Sequence, residues 1–424
     1  MQIAIFLPNN MKINTNKIFI ISLLAIAPIR YIFESSILGY GLITVSLFLL
    51  MFNYLNMSKT TIFNKNTVIA TLSIFPLSMY LIFVSIMAAI ADNIEFQPVI
   101  FFFALVLPFI GGSAIKVVEL DKKFLIKIIT CYILIEFFII LGQMLKYSVG
   151  FGLPSPVSYG GSGMVTGSQY NANNLAALLI PISLCVGFLG QELSSRRSLI
   201  LWVLLFCMQV LLASKASIVL TALIYIATSR LTYQRLFSIS TIVLVVVFGF
   251  SFLLNYNTTS GILGRISVRM NDMVTLLTFW EKRSGDSVSE RTDSYSYFLD
   301  NFVDRIGLGS FEFGNYSYFF HDGSRVYELF KANPHSLLIE LSYYAGWFGL
   351  FFGLIAFIGI FLIYNSGGPK SKLLIILSFV IASFIPSTLI GNFTFLVFFA
   401  FAVILSNNSK LKTAKHLNKL GREC

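Results

Sequence analysis

The chain has 424 residues, of which 56% are hydrophobic and 12% charged, with a formal net charge of +11, and its mean hydropathy is strongly positive. A soluble domain carries about a quarter charged residues, so the composition excludes a cytosolic enzyme and makes the lipid bilayer the natural solvent. Its 29 Gly and 11 Pro are spread too thinly for a fibrous or disordered chain.

Apolar stretches long enough to cross a bilayer, about 17 to 25 residues each, predict about twelve spans. They fall near 18–34, 36–56, 67–91, 97–115, 124–145, 172–190, 198–213, 216–231, 237–255, 335–364, 371–388 and 390–406. The fold class is therefore all-α, a polytopic transmembrane helix bundle. Lys12 and Lys17 precede the first span without a small-residue cleavage site, so it reads as an anchor.

Cytoplasmic loops should hold the Lys and Arg. With the N-terminus inside, alternate segments carry Lys59 and Lys65, then Lys116, Lys122, Lys123 and Lys127, then Arg196 and Arg197, Arg230 and Arg235, Lys370 and Lys372, and finally the tail from Lys410 to Arg422. The short outward segments hold only Arg30, Lys146 and Lys215. The expected organisation is a membrane domain over 1–255 with nine spans, an outer loop over 256–334 with short helices, three further spans over 335–406 and a cytoplasmic tail over 407–424. A second outer loop, about 146–171, is rich in Gly and Ser.

Scattered single cations give no basis for a nucleic-acid partner. Cys131, Cys185 and Cys207 lie in apolar runs and Cys424 ends the chain, which matches neither a zinc site nor a disulfide framework.

Chemistry is expected in the long outer loop. It opens with a helical period from Ile262 to Trp280, interrupted by Arg265 and Arg269, that suits a helix lying flat on the membrane. Those arginines could simply touch lipid headgroups. Ser287 and Glu290 form a capping-box pattern opening a helix to about Phe302. Arg291 stands one turn before Tyr295 on its apolar stripe. A guanidinium there wants an anion, either Asp293 or Asp300 in an ion pair or a phosphate ligand. Lys215 interrupts an apolar run at the outer interface, as a snorkelling side chain or as a functional cation.

Asn333-Pro334-His335 reads as an N-cap, a first-turn proline and the second residue of span ten. Helix N-termini attract anions and disfavour imidazolium, so His335 is either a structural cap or a neutral base for a hydroxyl proton. Glu340, five positions on, lies well round the helix and is not its obvious partner.

With these residues in view, the C-terminal half resembles the bacterial O-antigen ligase and O-antigen polymerase superfamily. His335-Ser336, nine residues, then Gly346-Trp347-Phe348-Gly349 is similar to the family's His motif. Arg291 followed by Gly307-Leu308-Gly309-Ser310-Phe311 is similar to its Arg stretch and Gly-x-Gly-x-Phe turn. Ser214-Lys215-Ala216 stands where the family usually has Ser-Arg-Gly, and Gly167 to Ala176 resembles its Gly and Asn stretch. Two departures are the lysine at 215 and Tyr344, where an acid often precedes the first Gly.

The resemblance implies an inverting glycosyltransferase of the inner membrane with its active site facing the periplasm. The donor would be an undecaprenyl-diphosphate-linked glycan and the acceptor a glycan or the lipid A-core, with membrane lipids as surroundings and neither cofactor nor metal. Arg291, Lys215, Arg265 and Arg269 would hold the diphosphate, with Arg291 and His335 as catalytic groups. The acceptor separates an O-antigen ligase from a repeat-unit polymerase. The competing class is a lipid-linked oligosaccharide transporter, which should keep ionisable groups along a mid-membrane pathway; here Glu136 alone is deep.

Overall fold

The computed structural model describes residues 14–34, 36–56, 65–90, 98–149, 152–153, 158–159, 162–163, 165–169, 171–190, 192–212, 214–228, 237–238, 241–242, 245, 309, 318–322, 325–329, 336–364, 368–385 and 392–420. Among these, eleven helices form the bundle. They are α1 (Thr15–Phe33), α2 (Ser36–Asn56), α3 (Lys65–Ile90), α4 (Pro98–Leu120), α5 (Lys122–Val149), α6 (Ala172–Leu189), α7 (Ser195–Leu211), α8 (Lys215–Thr228), α9 (Leu337–Tyr364), α10 (Pro369–Ser383) and α11 (Phe393–Leu420). Each coincides with one expected span. The ninth span lies almost wholly outside the described residues. Six helices are long and apolar enough to cross a membrane by length and composition, and three shorter apolar ones accompany them.

Helix starts follow the residue before them. Asn14 accepts the Lys17 N–H at 3.3 Å, Asp121 the Phe124 N–H at 2.9 Å, Asn171 the Asn173 N–H at 2.9 Å, and Asn392 the Phe395 N–H at 3.1 Å. Each side-chain oxygen satisfies a donor that the first helical turn cannot pair internally.

Two antiparallel hairpins lie outside the helices: β1 (Ser158–Tyr159) with β2 (Ser162–Gly163), and β3 (Tyr318–Asp322) with β4 (Arg325–Leu329). The second falls in the stretch expected as an outer loop, beyond the helices expected over 262–280 and 287–302, which lie outside the described residues. Its strands are rich in aromatic residues, with Val326 opposite His321, and the pairing of Asp322 with Arg325 leaves only Gly323-Ser324 between them. A two-residue connection beginning with Gly is a hairpin signal.

The core is built around α6. Nearly every side chain from Ala172 to Val186 is buried, and α6 packs against α5, α7, α8, α10 and α11. The peripheral α2 instead exposes Leu42, Val45, Phe48, Leu49 and Phe52, an i, i+3, i+7 stripe that suits contact with lipid. Hydrogen bonds between helices fasten the buried faces. Ser78 Oγ donates to the Ala104 carbonyl at 2.5 Å, joining α3 to α4, and Gln209 Nε2 donates to the Ala176 carbonyl at 3.2 Å, joining α7 to α6. Where hydrophobic burial no longer distinguishes helix from lipid, such bonds and close packing carry association.

Two ion pairs gather one end of the bundle. Lys17 Nζ donates to Asp121 Oδ2 at 2.6 Å, and Lys122 Nζ to Glu192 Oε1 at 2.7 Å. They join the start of α1, the α4–α5 turn and the α6–α7 connection, three segments that the charge alternation assigns to the same side. The Lys17 hydrogen bond, with that from the Phe124 N–H, holds the Asp121 carboxyl below its ordinary value.

Candidate functional site

Chain alternation brings the C-terminal ends of α3, α5 and α7 and the N-terminal ends of α6, α8 and α9 to the opposite end of the bundle. Each of the four motifs noted in the sequence has described residues there.

The Gly and Asn stretch is held from beneath by α5. Glu136 and Gln143 are seven residues apart, so they share one helix face two turns apart. Gln143 Oε1 accepts the Thr166 N–H at 2.9 Å and the Gly167 N–H at 3.0 Å, while its Nε2 donates to the Gly167 carbonyl at 2.9 Å. Glu136 Oε2 accepts the Ser168 N–H at 2.9 Å, and its Oε1 accepts the Ser168 hydroxyl. Two buried side chains thus satisfy three consecutive backbone amides of an irregular segment that would otherwise be costly to bury. Gly167 has φ +62°, and a Cβ there would come within 2.6 Å of Glu136 Oε2 and 2.3 Å of Leu175 Cδ2. Glycine is therefore required for both its backbone conformation and its neighbours. The segment then delivers Asn171 to its capping position on α6.

Glu136 and Gln143 were missed as partners of this stretch. Their signal was available: two polar residues at two-turn spacing within an apolar run. What they hold depends on a loop some 25 residues further along, which periodicity cannot supply.

At the Ser-Lys-Ala motif, Lys215 is the first residue of α8. The Ser214 carbonyl accepts the Ile218 N–H at 3.0 Å, and the Ser214 and Ser217 hydroxyls share a hydrogen bond of 2.9 Å. Gln209 Nε2 also approaches Thr221 Oγ1 of α8 at 3.4 Å. The motif is thus a helix start whose Ser214 is buried, and the same helix is tied to α7 through Thr221. The Lys215 side chain, and Arg265, Arg269, Arg291 and His335 entirely, lie outside the described residues, so the structure leaves their roles where the sequence analysis put them.

The His motif is described from Ser336 onward. The Ser336 carbonyl accepts the Glu340 N–H at 2.9 Å, opening α9, and Ser336, Glu340 and Ser342 are all buried. At Gly346, φ is +62° and ψ −159°, which breaks the helix. Gly309, from the Gly-x-Gly-x-Phe turn, reaches this break: a Cβ on it would meet the Tyr344 carbonyl oxygen at 2.5 Å and the Gly346 nitrogen at 2.8 Å. Two motifs 37 positions apart therefore touch through their backbones. Tyr344, which departs from the family pattern, is fully buried, and its hydroxyl shares a hydrogen bond of 2.9 Å with Ser85 Oγ of α3.

Among the described residues no group of three or more His, Cys, Asp or Glu could hold a metal ion. Residues 200–354 match the family model described as O-antigen ligase. This stretch runs from α7 into α9 and contains Lys215, Arg291, Gly309, His335 and Gly346. No curated protein and no solved structure matches the chain.

Proposed function

We propose, from the match of residues 200–354 to the O-antigen ligase family model, that the chain is the membrane glycosyltransferase attaching O-antigen during lipopolysaccharide biosynthesis. The donor is an undecaprenyl-diphosphate-linked glycan and the acceptor a sugar hydroxyl of the lipid A-core. The observation that carries this reading is the family match across the segment holding the Arg, Gly and His motifs. The meeting of Gly309 with the break at Gly346 supports it, because it joins the loop that bears Arg291 to the helix that follows His335.

In the proposed reaction the acceptor oxygen attacks the anomeric carbon from the face opposite the diphosphate, and the carbon–oxygen bond to the diphosphate breaks with inversion. His335 orients the acceptor hydroxyl and takes its proton. Arg291 and Lys215, with Arg265 and Arg269 at the membrane surface, neutralise the charge that grows on the leaving diphosphate. Fixed protein cations supply this stabilisation in place of a metal ion. The site faces the periplasm across the inner membrane, a placement supported by the alternation of basic loops.

Deletion of the gene tests the reading. A ligase deletion leaves surface lipopolysaccharide without O-antigen while polymer accumulates on undecaprenyl diphosphate. Lipopolysaccharide capped with a single repeat unit would instead identify a repeat-unit polymerase of the same superfamily, and loss of surface O-antigen with lipid-linked glycan trapped on the cytoplasmic side would identify a transporter. In the purified enzyme, His335→Ala should abolish transfer while donor binding persists; loss of donor binding would move His335 to the leaving-group side.

A further inference from the structure

Gly346 divides α9 into two rods. Its φ of +62° with ψ of −159° belongs to a region that is essentially glycine-only. The part before it, from Ser336, is about 15 Å long at 1.5 Å per residue. Its C-terminal end is fastened twice. The backbone of Gly309, itself at φ +97°, abuts Tyr344 and Gly346 so closely that any Cβ on it would collide with them. From another direction, Ser85 of α3 holds the buried Tyr344 hydroxyl at 2.9 Å. In sequence His335 directly precedes Ser336, the first described residue of this short rod.

We propose that the Gly309–Gly346 junction and the Tyr344–Ser85 hydrogen bond form a positioning device that sets the direction of the first rod of α9, and with it the place of His335 against the reacting sugars. The inference rests on the acceptor-side role given to His335 above. The lever is sensitive: a tilt of about 4° at the break moves the far end of the rod by about 1 Å. A displacement of that size costs on the order of 100-fold in rate. Gly309, Gly346, Tyr344 and Ser85 are positioning residues here, none of them touching substrate.

The test compares kcat with the donor KM in purified enzyme for Gly309→Ala, Gly346→Ala, Tyr344→Phe, Ser85→Ala and the Tyr344→Phe/Ser85→Ala double variant. The glycine variants should lose kcat by 10- to 100-fold, with the donor KM within twofold of wild type. Tyr344→Phe and Ser85→Ala, which keep the packing and remove one hydrogen bond, should each lose kcat severalfold, and the double variant no more than either single, since both delete the same bond. If the glycine variants fail to fold, the two hydrogen-bond variants decide the matter alone. Wild-type kcat in those two variants, or a loss confined to the donor KM, overturns the positioning role. Full activity of His335→Ala, measured beside them, would instead overturn the reading on which the inference rests.

Discussion

Replacing Glu136 with Ala removes the acceptor of two buried donors, the Ser168 N–H and the Ser168 hydroxyl. A buried donor left without a partner costs about 1–3 kcal/mol, so Glu136→Ala should destabilise the protein by about 2–6 kcal/mol. Glu136→Gln keeps an amide oxygen for the Ser168 N–H and an amide N–H for the Ser168 oxygen, and should cost no more than about 1 kcal/mol. Gly167→Ala acts on the same contact from the other side. It demands a left-handed alanine, about 1–2 kcal/mol, and drives its Cβ toward Glu136 Oε2 and Leu175 Cδ2, so a total of about 2–4 kcal/mol is expected. The assay is thermal unfolding in detergent followed by tryptophan fluorescence, for the three single variants, Ser168→Ala and the Glu136→Ala/Ser168→Ala pair. The pair should be clearly less than additive, since the two residues share their bonds. A melting temperature of Glu136→Ala within a degree of wild type would refute the clamp. A fall in Glu136→Gln as large as in Glu136→Ala would show that the carboxyl acts through something other than accepting these hydrogen bonds.

Arg291→Ala should abolish glycan transfer at a normal protein level, and Arg291→Lys should lose most of it because the two-pronged guanidinium is gone; Lys215→Ala should be severe and Lys215→Arg tolerated, as radiolabelled transfer assays would show. An impermeant thiol reagent applied to intact cells should label cysteines introduced at Ser284 and Ser162 but not at Lys122 or Arg196, and labelling at Lys122 would overturn the twelve-span topology. The Asp121 carboxyl is held below its ordinary value first by the Lys17 hydrogen bond, so its contribution to stability is present above the unfolded-chain pKa and fades as pH falls through the folded one. The stability gap between wild type and Asp121→Asn should therefore shrink from about pH 6 to about pH 3, and a gap independent of pH would remove the ion pair from the account.

The membrane architecture could be read from sequence because it rests on properties summed over many residues. A span needs an apolar run as long as the bilayer is thick; α1 to α8 and α9 to α11 fall on eleven of the expected stretches for that reason. Helix starts at Asn14, Asp121 and Asn171 are equally local, each needing one side-chain oxygen a turn away from an unpaired amide, although the sequence analysis did not name them. The β3–β4 hairpin had its signal in Gly323-Ser324 between its strands, which the sequence analysis did not read.

What only the tertiary structure decided is which motifs meet. Gly309 reads as a local turn residue, yet its requirement for glycine comes from the backbone at Tyr344 and Gly346, and Gly346 reads as part of the His motif until its φ of +62° breaks the helix there. Tyr344 looks like a departure from a pattern until Ser85, 259 positions earlier, supplies its partner. Glu136 looks like a stray charge until the Ser168 amide closes on it. Contacts of this kind depend on atoms brought within a few ångströms by the packing of whole helices, and neither period nor composition along the chain encodes that distance.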